Sequence, residues 1–561
     1  MTDPYLKQLI KNILLILNSR EKQQVFKLAV LDILISILDI LFLVALLFVI
    51  NFYTSVDHSA NAGSSYFHFF IENPLSLIIV FFILFSMKNL LGYFIFKLQY
   101  NFVYGVASRI SAENLLQYLQ GSYHNYVNID SSVYHRKISQ QPIEFCHYVL
   151  NGMQQVFSQA ILITISAVAI LIYNPLLFPL LVLVLAPPVF LIAFIMKQKL
   201  GAVRLHSKKT SEQTIQHLQE ALAGFVESNV YGKNDFFTSR YRSFQSRLNH
   251  YLAENQVIHN MPSRLIEVFA IFGLLILILL NSFTSGLHSI PVITIGAFMA
   301  AAYKVIPGIV KIMNMLGQVK TYSFTITDLL NSKATLYTKK ENRSPIDSVS
   351  FEHIHFSYAD KKVLDSFSLN LERGDLAGIS GISGKGKTTI ANLLLGFLSP
   401  DSGSILINGS VTNTADRQAY WNKISYIKQQ PFFIHDTVLK NICLQEDGHD
   451  KNKLANALTL TAVDKLVETT AGGLDAMITE HGKNFSGGQR QRIIFARALY
   501  KDFDCLVLDE PFNELDEVSE IKMLQELRKI ADEGKIVLLI THNKAALSFC
   551  NKKILLDEYG A

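Results

Sequence analysis

A glycine-rich segment in the second half of the chain has the residue types and spacing of a phosphate-binding loop. The stretch LAGISGISGKGKTTIANLLLG contains the pattern G-x-x-x-x-G-K-[ST] as Gly381, Gly386, Lys387 and Thr388. A strand-like apolar run precedes the loop and a helical run follows it, which is the context that this pattern requires. The glycines let backbone N–H groups and a helix N-terminus converge on phosphate oxygens. We expect Lys387 to neutralise β- and γ-phosphate charge and the Thr388 hydroxyl to hold Mg²⁺.

Two later strand-like runs end in polar residues suited to hydrolysis at a phosphate. The run CLVLD ends at Asp509, which is followed by Glu510, and the run KIVLLITHN leads to His542. In a doubly wound sheet, groups at the carboxyl ends of the parallel strands meet at one edge. We therefore expect Asp509 to hold Mg²⁺ and Glu510 to act as the base for an attacking water, with His542 at the same edge.

A second glycine-rich turn, NFSGGQRQR at residues 484–492, also has the backbone of an anion-binding site. Its glycines precede a run of helix formers, so the N–H groups of the first helical turn would face an incoming phosphate. Because the chain already has a phosphate loop about a hundred residues earlier, the question is which nucleotide this second turn contacts.

In their order along the chain, these segments resemble the nucleotide-binding domain of ABC transporters: the loop at 381–388, SGGQ at 486–489, LVLDE and THN. Gln429 in ISYIKQQPFF is similar to the Q-loop glutamine, and Tyr358 in HFSYAD to the aromatic residue that stacks on adenine. Asp516 in NELD resembles the D-loop aspartate, and Glu480 in ITEHG lies where the family's loop faces the membrane helices. The resemblance covers essentially the whole chain.

The resemblance implies that the cofactors are ATP and Mg²⁺. It assigns catalysis to Glu510, His542 and Gln429, and Mg²⁺ binding to Thr388, Gln429 and Asp509. The nucleotide-contacting residues that it implies are Tyr358, Ser383, Gly384, Gly386, Lys387, Thr388, Thr389, Ser486, Gly487, Gly488, Gln489, Asp509 and Asp516. In this family two nucleotide-binding domains enclose two ATP molecules head to tail. The turn at 486–488, called the signature turn below, is therefore expected to contact the ATP held by a partner chain.

One such chain supplies half of a transporter. Because the expected residue type occupies every catalytic position, a homodimer with two working sites is the simplest assembly, and a different half-subunit as partner is the alternative. The sequence departs from the family pattern at Lys385 in the phosphate loop and at Lys428 before the Q-loop glutamine. It departs again at Asn513 and Glu514, where the family usually has Ser-Ala.

The first 335 residues have the composition of a membrane domain. Only 17% of the 561 residues are charged, against about 25% in average soluble proteins, and the deficit is concentrated in this half. Six apolar runs are long enough to span a bilayer, at about 28–50, 75–98, 152–173, 176–196, 263–281 and 291–316. We predict an all-α, six-helix transmembrane domain at 1–335, a linker at 336–347, and an α/β P-loop ATPase domain of ABC type at 348–561.

Lysine and arginine predict the orientation of these spans. Together they number five before residue 28 and nine in the connection 197–262, and neither occurs in 51–74 or 282–290. We therefore expect both termini and the ATPase domain in the cytosol, at the cytoplasmic (inner) membrane. The segment before the first span is expected to be an amphipathic surface helix. Helical patterns continue beyond the spans, and the turns at 122–128 and 224–234 are the expected contacts with the ATPase domain.

Charge and cysteine usage exclude some classes of protein. A net charge of +5 is small for this length and argues against a nucleic-acid partner, whereas basic loops fit a membrane of anionic lipid. The four cysteines lack metal-ligand spacing and are expected to be reduced structural thiols. They are Cys146, Cys443, Cys505 and Cys550.

Several ionisable residues fall inside the predicted spans, where a charge usually faces a cavity or another charge. Lys88 has no acidic residue within one helical turn, so it either lines a substrate path or pairs with Asp39 or another acid. Lys304 precedes Pro307 and is interpreted as a packing or snorkelling residue, with the substrate path as the alternative. Arg264 and Glu267 are three residues apart, a spacing that lets them pair with each other.

The membrane half also resembles bacterial lipid-linked oligosaccharide flippases in the segments SILDI, MKNLLGYF, SSYFHFFIENP and AAYKVIPGIVKI. This resemblance implies ATP-driven movement of an amphipathic lipid or glycolipid across the membrane by alternating access. Export of peptides or hydrophobic drugs is an alternative, and so is an ATP-gated channel or a regulator of a partner protein.

Overall fold

The computed structural model of the protein describes residues 4–54, 74–121, 123–173, 177–283, 292–333, 344–359, 361–382, 384–479 and 482–556. The chain divides into two compact units. One comprises Met1–Gly121 and Ile129–Leu336, and the other comprises Ser122–Asn128 and Tyr337–Ala561. The segment Ser122–Asn128 thus belongs to the carboxyl-terminal unit, although it lies within the helical half of the sequence.

The first part of the chain is helical. Its α-helices are α1 (Pro4–Ile16), α2 (Ser19–Thr54), α3 (Pro74–Leu119), α4 (Tyr123–Asn128), α5 (Ser131–His135), α6 (Gln141–Glu144), α7 (Asn151–Tyr173), α8 (Leu177–Ala223), α9 (Phe225–Val230), α10 (Asn234–Phe283), α11 (Val292–Tyr322) and α12 (Phe324–Lys333). Two π-helical segments, Arg136–Gln140 and Phe145–Leu150, join α5, α6 and α7 into one continuous helical run.

The described residues of each of the six apolar runs lie within one long helix: α2, α3, α7, α8, α10 or α11. Residues 176 and 291, the first of two runs, lie outside the described part of the chain. Helices α3, α8 and α10 have 46, 47 and 50 residues, far more than the roughly 20 that a bilayer requires. Among the described residues, Ser19–Ile50, Leu75–Leu119 and Ser131–Ile172 are long and apolar enough to cross a membrane. The six-span arrangement and the domain boundaries stay predictions.

Two pairs of charged residues lie inside the predicted spans. Lys88 of α3 forms an ion pair with Asp39 of α2, and its ammonium nitrogen lies 5.2 Å from the centre of the Phe85 ring. Of the two interpretations of Lys88, the ion pair is therefore the one that the structure contains. Arg264 and Glu267 of α10 approach to 3.8 Å. The backbone of Lys304 belongs to α11, and its side chain lies outside the described part of the protein.

The carboxyl-terminal unit is an α/β structure. Its strands are β1 (Ser348–Tyr358), β2 (Lys361–Glu372), β3 (Leu376–Ser380), β4 (Ser402–Ile407), β5 (Ser410–Val411), β6 (Ile424–Ile427), β7 (Asp436–Thr437), β8 (Met477–Ile478), β9 (Cys505–Asp509), β10 (Ile536–Ile540) and β11 (Lys552–Leu555). Its remaining helices are α13 (Lys387–Leu394), α14 (Thr414–Ala419), α15 (Val438–Cys443), α16 (Lys451–Leu460), α17 (Val463–Thr469), α18 (Gly487–Tyr500), α19 (Glu517–Asp532) and α20 (Lys544–Leu547). A helical region followed by an α/β ATPase-type unit is the predicted fold class, which is confirmed.

A parallel sheet positions the candidate site. Its strand order is β11-β3-β10-β9-β6, and a separate antiparallel sheet has the order β2-β1-β4-β5. In the parallel sheet Ile540 pairs with both Ile379 and Asp509, so β3, β10 and β9 end at the same level. The residues that follow these three strands therefore meet at one edge, as the sequence predicts.

The parallel sheet is buried on both faces. Leu506 and Leu508 of β9 belong to a core that includes Phe495 of α18, whereas Val507 belongs to a core that includes Ile390 of α13. Alternate residues pack on opposite sides, so the central strands are continuously apolar, as in other parallel sheets covered by helices. All four cysteines are free and buried.

Candidate nucleotide-binding and hydrolysis site

The phosphate loop connects β3 to α13 through glycines in the left-handed region. Gly384 and Gly386 have φ angles of 83° and 91°, which residues with a side chain rarely adopt. A Cβ atom on Gly386 would also lie 2.7 Å from Cγ1 of Val363, too close for any substitution without movement. The loop therefore needs glycine at this position, and the backbone turns directly into the N-terminus of α13. Ser383 lies outside the described residues.

The side chain of Lys387, at the end of the phosphate loop, extends back over that loop. Its ammonium group donates to the carbonyl oxygens of Gly381 at 2.7 Å and Ile382 at 3.3 Å, and the side chain is buried. The positive charge is thus held at the centre of the loop, beside the N-terminus of α13. Phosphate oxygens that enter this loop would meet the ammonium group together with backbone N–H groups.

Asp509 ends β9 as a nearly fully buried carboxylate, with 1% of its surface exposed. Burial raises the pKa of Asp509, while a hydrogen bond from Thr388 and the charge of Lys387 oppose that rise. Among the described residues, its Oδ2 atom has no hydrogen-bond partner. A carboxylate oxygen without a partner beside a threonine hydroxyl fits a hard cation such as Mg²⁺, which binds through oxygen ligands.

Glu510 follows Asp509 and lies at the centre of a polar cluster. Its φ angle is 49°, a strained conformation for a residue other than glycine, and its backbone N–H donates to Ile540. Gln429 donates to Glu510 Oε2 at 2.8 Å and Asn513 donates to the same atom at 3.0 Å. His542 Nδ1 lies 3.8 Å from Glu510 Oε1. The structure thus brings Glu510, Gln429 and His542 together, and Asn513 is an additional member that the sequence singled out only as a departure.

Tyr358 and the short helix α4 lie close to each other in the carboxyl-terminal unit. Tyr358 ends β1 half-exposed, with its ring 4.9 Å from the ring of Phe356. Tyr123 of α4 stacks on Phe397 with ring centres 4.7 Å apart. Burial raises the pKa of Tyr123, and the neighbouring Tyr358 adds to that rise. Helix α4 thus contacts this unit, as expected for residues 122–128, and the proximity of Tyr123 to the candidate adenine site is a feature that the sequence did not reveal.

The signature turn is shaped by a capping box at the start of α18. Ser486 accepts a hydrogen bond from the backbone N–H of Gln489, and the Gln489 side chain accepts one from the backbone N–H of Ser486. In a helix, the N–H groups of Gly487 and Gly488 have no acceptor within the helix itself. These two N–H groups, at the positive end of a 14-residue helix, are the donors that an anion would meet.

The residues after Glu510 support the signature turn from one side. Asp516 caps α19 by accepting from the backbone N–H of Ser519 at 3.0 Å, and its carboxylate lies 3.8 Å from Arg492. The hydrogen bond from the Ser519 hydroxyl lowers the pKa of Asp516. Thr389 is buried at the start of α13. Glu480 lies outside the described residues.

A groove of about 840 Å³ lies on the surface of the same unit. Its lining is largely apolar and includes Phe397, Trp421, Phe432 and Leu444. Arg497 lies in its floor and donates to the carbonyl oxygen of Phe432 at 2.8 Å. Phe432 and Leu444 expose most of their surface to solvent, which makes the groove a candidate docking site for an apolar segment.

Comparison with known proteins identifies the architecture. A family profile described as ABC transporter matches residues 364–513, which contain the phosphate loop, Gln429, the signature turn and Glu510. A solved structure of a bacterial Atm1-family ABC exporter with ATP bound aligns with a TM-score of 0.79, over 95% of this chain and 93% of that chain. Residues 364–513 therefore form an ABC transporter domain. The chain as a whole has the fold of an exporter-type half-transporter, in which a helical region is fused to one nucleotide-binding domain, and at 17% identity the likeness to the solved exporter is one of fold.

Curated relatives of this chain differ in what their names say they move. The ATP-dependent lipid A-core flippase of Ralstonia nicotianae is 24% identical over 469 residues, which cover 80% of this chain and 79% of the relative. The leukotoxin translocation ATP-binding protein LktB of Mannheimia glucosida is 29% identical over 268 residues, 47% of this chain and 38% of the relative. The chain spans about half the length of the first curated relatives that it matches, 48% and 56% of two of them.

Proposed function

We propose that this ABC transporter hydrolyses ATP to drive movement of an amphipathic lipid or glycolipid across the cytoplasmic membrane. The single observation that supports hydrolysis best is the cluster in which Glu510 lies between Gln429 and His542, next to the buried Asp509. The apolar helices of the first unit supply the membrane part of the proposal.

In the proposed reaction each residue of the cluster has one role. Glu510 accepts a proton from the attacking water, and Gln429 and His542 hold that carboxylate and the water in position. Lys387 and the N–H groups of the phosphate loop stabilise negative charge on the transferred phosphoryl group. Thr388 and Asp509 would hold Mg²⁺, which supplies charge neutralisation at the phosphates when bound. The site thus acts by positioning and electrostatic stabilisation.

We further propose that two copies of this chain form the working assembly, with both nucleotide-binding domains and both termini in the cytosol. The short helix α9 offers support, because Phe225, Val226, Val230 and Tyr231 are all more than half exposed in the single chain. Exposed apolar side chains of this kind usually mark an interaction site. The groove that contains Phe432 is also apolar, so it matches these exposed side chains. We assign α9 of the second copy as the segment that binds in this groove.

Cross-linking of two differently tagged variants tests this assembly. One variant carries Val230→Cys and the other carries Phe432→Cys, and the four native thiols are buried and therefore protected. When the two variants are mixed and co-reconstituted, a short bis-maleimide is expected to join the two tags in one product. A mixture of Val230→Cys with Glu468→Cys is the control and should give no product. Absence of the first product would contradict the proposed dimer.

The substrate class rests on the membrane part. The Lys88–Asp39 pair places an ammonium group and a carboxylate inside predicted spans, where they could exchange partners with a charged headgroup. A lipid with a phosphate or pyrophosphate group and a hydrophobic tail would fit apolar helices that carry such an ion pair. The name of the Ralstonia relative favours a lipid, whereas the name of the Mannheimia relative favours a peptide or protein, so peptide export is the second candidate.

ATPase activity of the full chain in lipid nanodiscs separates these candidates. We would titrate a polyprenyl-pyrophosphate oligosaccharide and, in parallel, a cationic peptide. Stimulation by the glycolipid that is lost in Lys88→Ala would support the flippase proposal, and stimulation by the peptide alone would favour export. Stimulated hydrolysis without directional movement in sealed vesicles would instead indicate a channel or a regulator.

A further inference from the structure

Glu514 packs against the glycines of the signature turn within the same chain. A Cβ atom built on Gly487 would lie 2.7 Å from Oε2 of Glu514, and one built on Gly488 would lie 3.2 Å from the Glu514 carbonyl oxygen. A side chain at position 487 would therefore displace the Glu514 side chain, and one at position 488 would fit only if the Glu514 backbone moved by a few tenths of an ångström. The carboxylate itself contacts the first residue of α18, beside the N–H groups that would receive a phosphate.

The carboxylate is held there by one basic residue. Arg490 Nη2 donates to both oxygens of Glu514, at 3.2 Å each. Arg490 belongs to the first turn of α18, so the pair fixes Glu514 to the helix whose N-terminus it contacts. The positive end of the helix also favours a negative charge at this place. Glu514 thus places a negative charge of the protein beside the turn to which the proposed mechanism brings the γ-phosphate of the nucleotide.

We propose that the Glu514 carboxylate competes with the γ-phosphate of the partner's ATP for the signature turn and thereby sets the ATP concentration needed for closure. This inference rests on the proposed function, in which the signature turn contacts that phosphate. For the γ-phosphate to approach, the carboxylate must move aside with Arg490 or remain as a like charge a few ångströms away. Either course weakens ATP-dependent closure relative to a chain with a neutral residue at 514.

A purely structural role of the pair predicts a different result. The Glu514 side chain is 40% exposed and that of Arg490 is 27% exposed, and ion pairs this accessible contribute little to stability. If the pair only supported the turn, its removal would loosen the turn and weaken ATP binding. Competition predicts that its removal strengthens ATP binding, so the two roles differ in the sign of the effect.

The test compares Glu514→Gln and Glu514→Ala with the wild-type chain in nanodiscs. We expect the half-saturating ATP concentration for hydrolysis to fall about fivefold in both variants, without a fall in kcat, because one like charge is removed near the phosphate. Glu468→Gln, an exposed residue of α17, changes the charge of the unit equally and should leave the half-saturating concentration unchanged. Thermal unfolding followed through Trp421, the single tryptophan, checks that the variants are folded.

Salt dependence supplies a readout that a structural role would not change. The difference between wild type and Glu514→Gln should shrink when ionic strength rises from about 0.05 M to about 0.5 M, because the Debye length falls several-fold. An unchanged or raised half-saturating ATP concentration in both Glu514 variants, with normal turnover, would overturn this proposal alone. Absence of hydrolysis by the wild-type chain would overturn the proposed function and this inference together.

Discussion

The carboxamide nitrogen of Gln429 lies 2.8 Å from Oε2 of Glu510, so the residue proposed to contact Mg²⁺ is hydrogen-bonded to the proposed base. Gln429 follows β6 and Glu510 follows β9, and the two strands are neighbours in the parallel sheet. The hydrogen bond therefore connects the ends of adjacent strands. Any change of Gln429 is expected to alter the position or the proton affinity of Glu510.

Glu510→Gln should abolish turnover and preserve ATP-dependent closure. The carboxamide keeps the shape and the hydrogen bonds of the side chain but cannot accept a proton from water, and loss of such a base typically reduces kcat by 10² to 10⁴. Steady-state ATPase assays measure the loss. A cross-link between Lys483→Cys, just before the signature turn, and Lys385→Cys in the phosphate loop of the second copy, both introduced with Glu510→Gln, reports closure with ATP. Hydrolysis within about tenfold of the wild-type rate would show that Glu510 is not the base.

Gln429→Glu should move the acid limb of the pH–rate profile to higher pH. Two carboxylates would then share a site about 3 Å across, and the second negative charge raises the pKa of the first. Since the base must be deprotonated to act, activity would be lost at a higher pH than in the wild type. Gln429→Ala is the control, with lower activity and no such displacement. An unchanged acid limb in Gln429→Glu would mean that the two side chains separate during turnover.

Asp509→Asn should stabilise the nucleotide-free protein and remove Mg²⁺-dependent stabilisation by ATP. The raised pKa of Asp509 means that the folded state binds its proton more tightly than the unfolded state does. The contribution of Asp509 to the free energy of unfolding therefore decreases as pH rises from the pKa of the unfolded state, about 3.9, through the raised pKa of the folded state. Above the folded-state pKa this contribution stays low. At pH 7 the neutral side chain should raise Tm by about 2–4 °C, the shift expected for about 1 kcal/mol. A lower Tm in Asp509→Asn would contradict this explanation.

Tyr358→Ala should raise the KM for ATP with little change in kcat. Stacking of an aromatic ring on a nucleotide base contributes about 1–3 kcal/mol, so the expected increase is roughly fivefold or more. Tyr358→Phe retains the ring and serves as the matched control. An equal increase in Phe and Ala variants would assign the effect to the hydroxyl group and would rule out stacking as its cause.

Lys88→Met should destabilise the protein more than the double variant Lys88→Met, Asp39→Asn does. The single change leaves the Asp39 carboxylate without the ammonium group in a poorly hydrated environment, whereas the double change removes both charges. A double-mutant cycle on Tm measures the coupling directly, and we expect a coupling energy of about 1–3 kcal/mol. Additive effects would show that the pair does not hold α2 and α3 together, and Lys88 would then be available for substrate alone.

The sequence predicts the nucleotide-binding unit well because its chemistry lies at strand ends. CLVLD and KIVLLI are continuously apolar, as strands buried on both faces must be, and they appear as β9 and β10 side by side. The location of Asp509 and His542 at the same edge of the sheet then follows from the shared direction of these two strands. By contrast, nothing about a glutamate predicts the positive φ angle of Glu510. Its contact with Asn513 depends on the path of the intervening turn, which short-range sequence patterns do not specify.

Long-range pairings are harder to predict for a physical reason. Lys88 and Asp39 are 49 positions apart on different helices, and helical periodicity predicts which face carries each charge but not which helices are neighbours. The stacking of Tyr123 on Phe397 joins residues 274 positions apart in the chain. The sequence indicated that residues 122–128 meet the ATPase unit, and only the fold places that tyrosine near the candidate adenine site.

The length of α10 has a mechanical consequence. Its 50 residues rise about 1.5 Å each and extend over about 75 Å, of which a bilayer core accounts for roughly 30 Å. With the predicted span at 263–281, the rest of the helix would form an arm of about 45 Å that begins at the predicted membrane boundary. A tilt of only about 5° at that boundary would sweep the distal end through about 4 Å, nearly one helical turn. In the proposed transport cycle, sub-ångström rearrangements near the membrane boundary and multi-ångström movements at the far end of α10 would therefore be the same motion, measured at two radii.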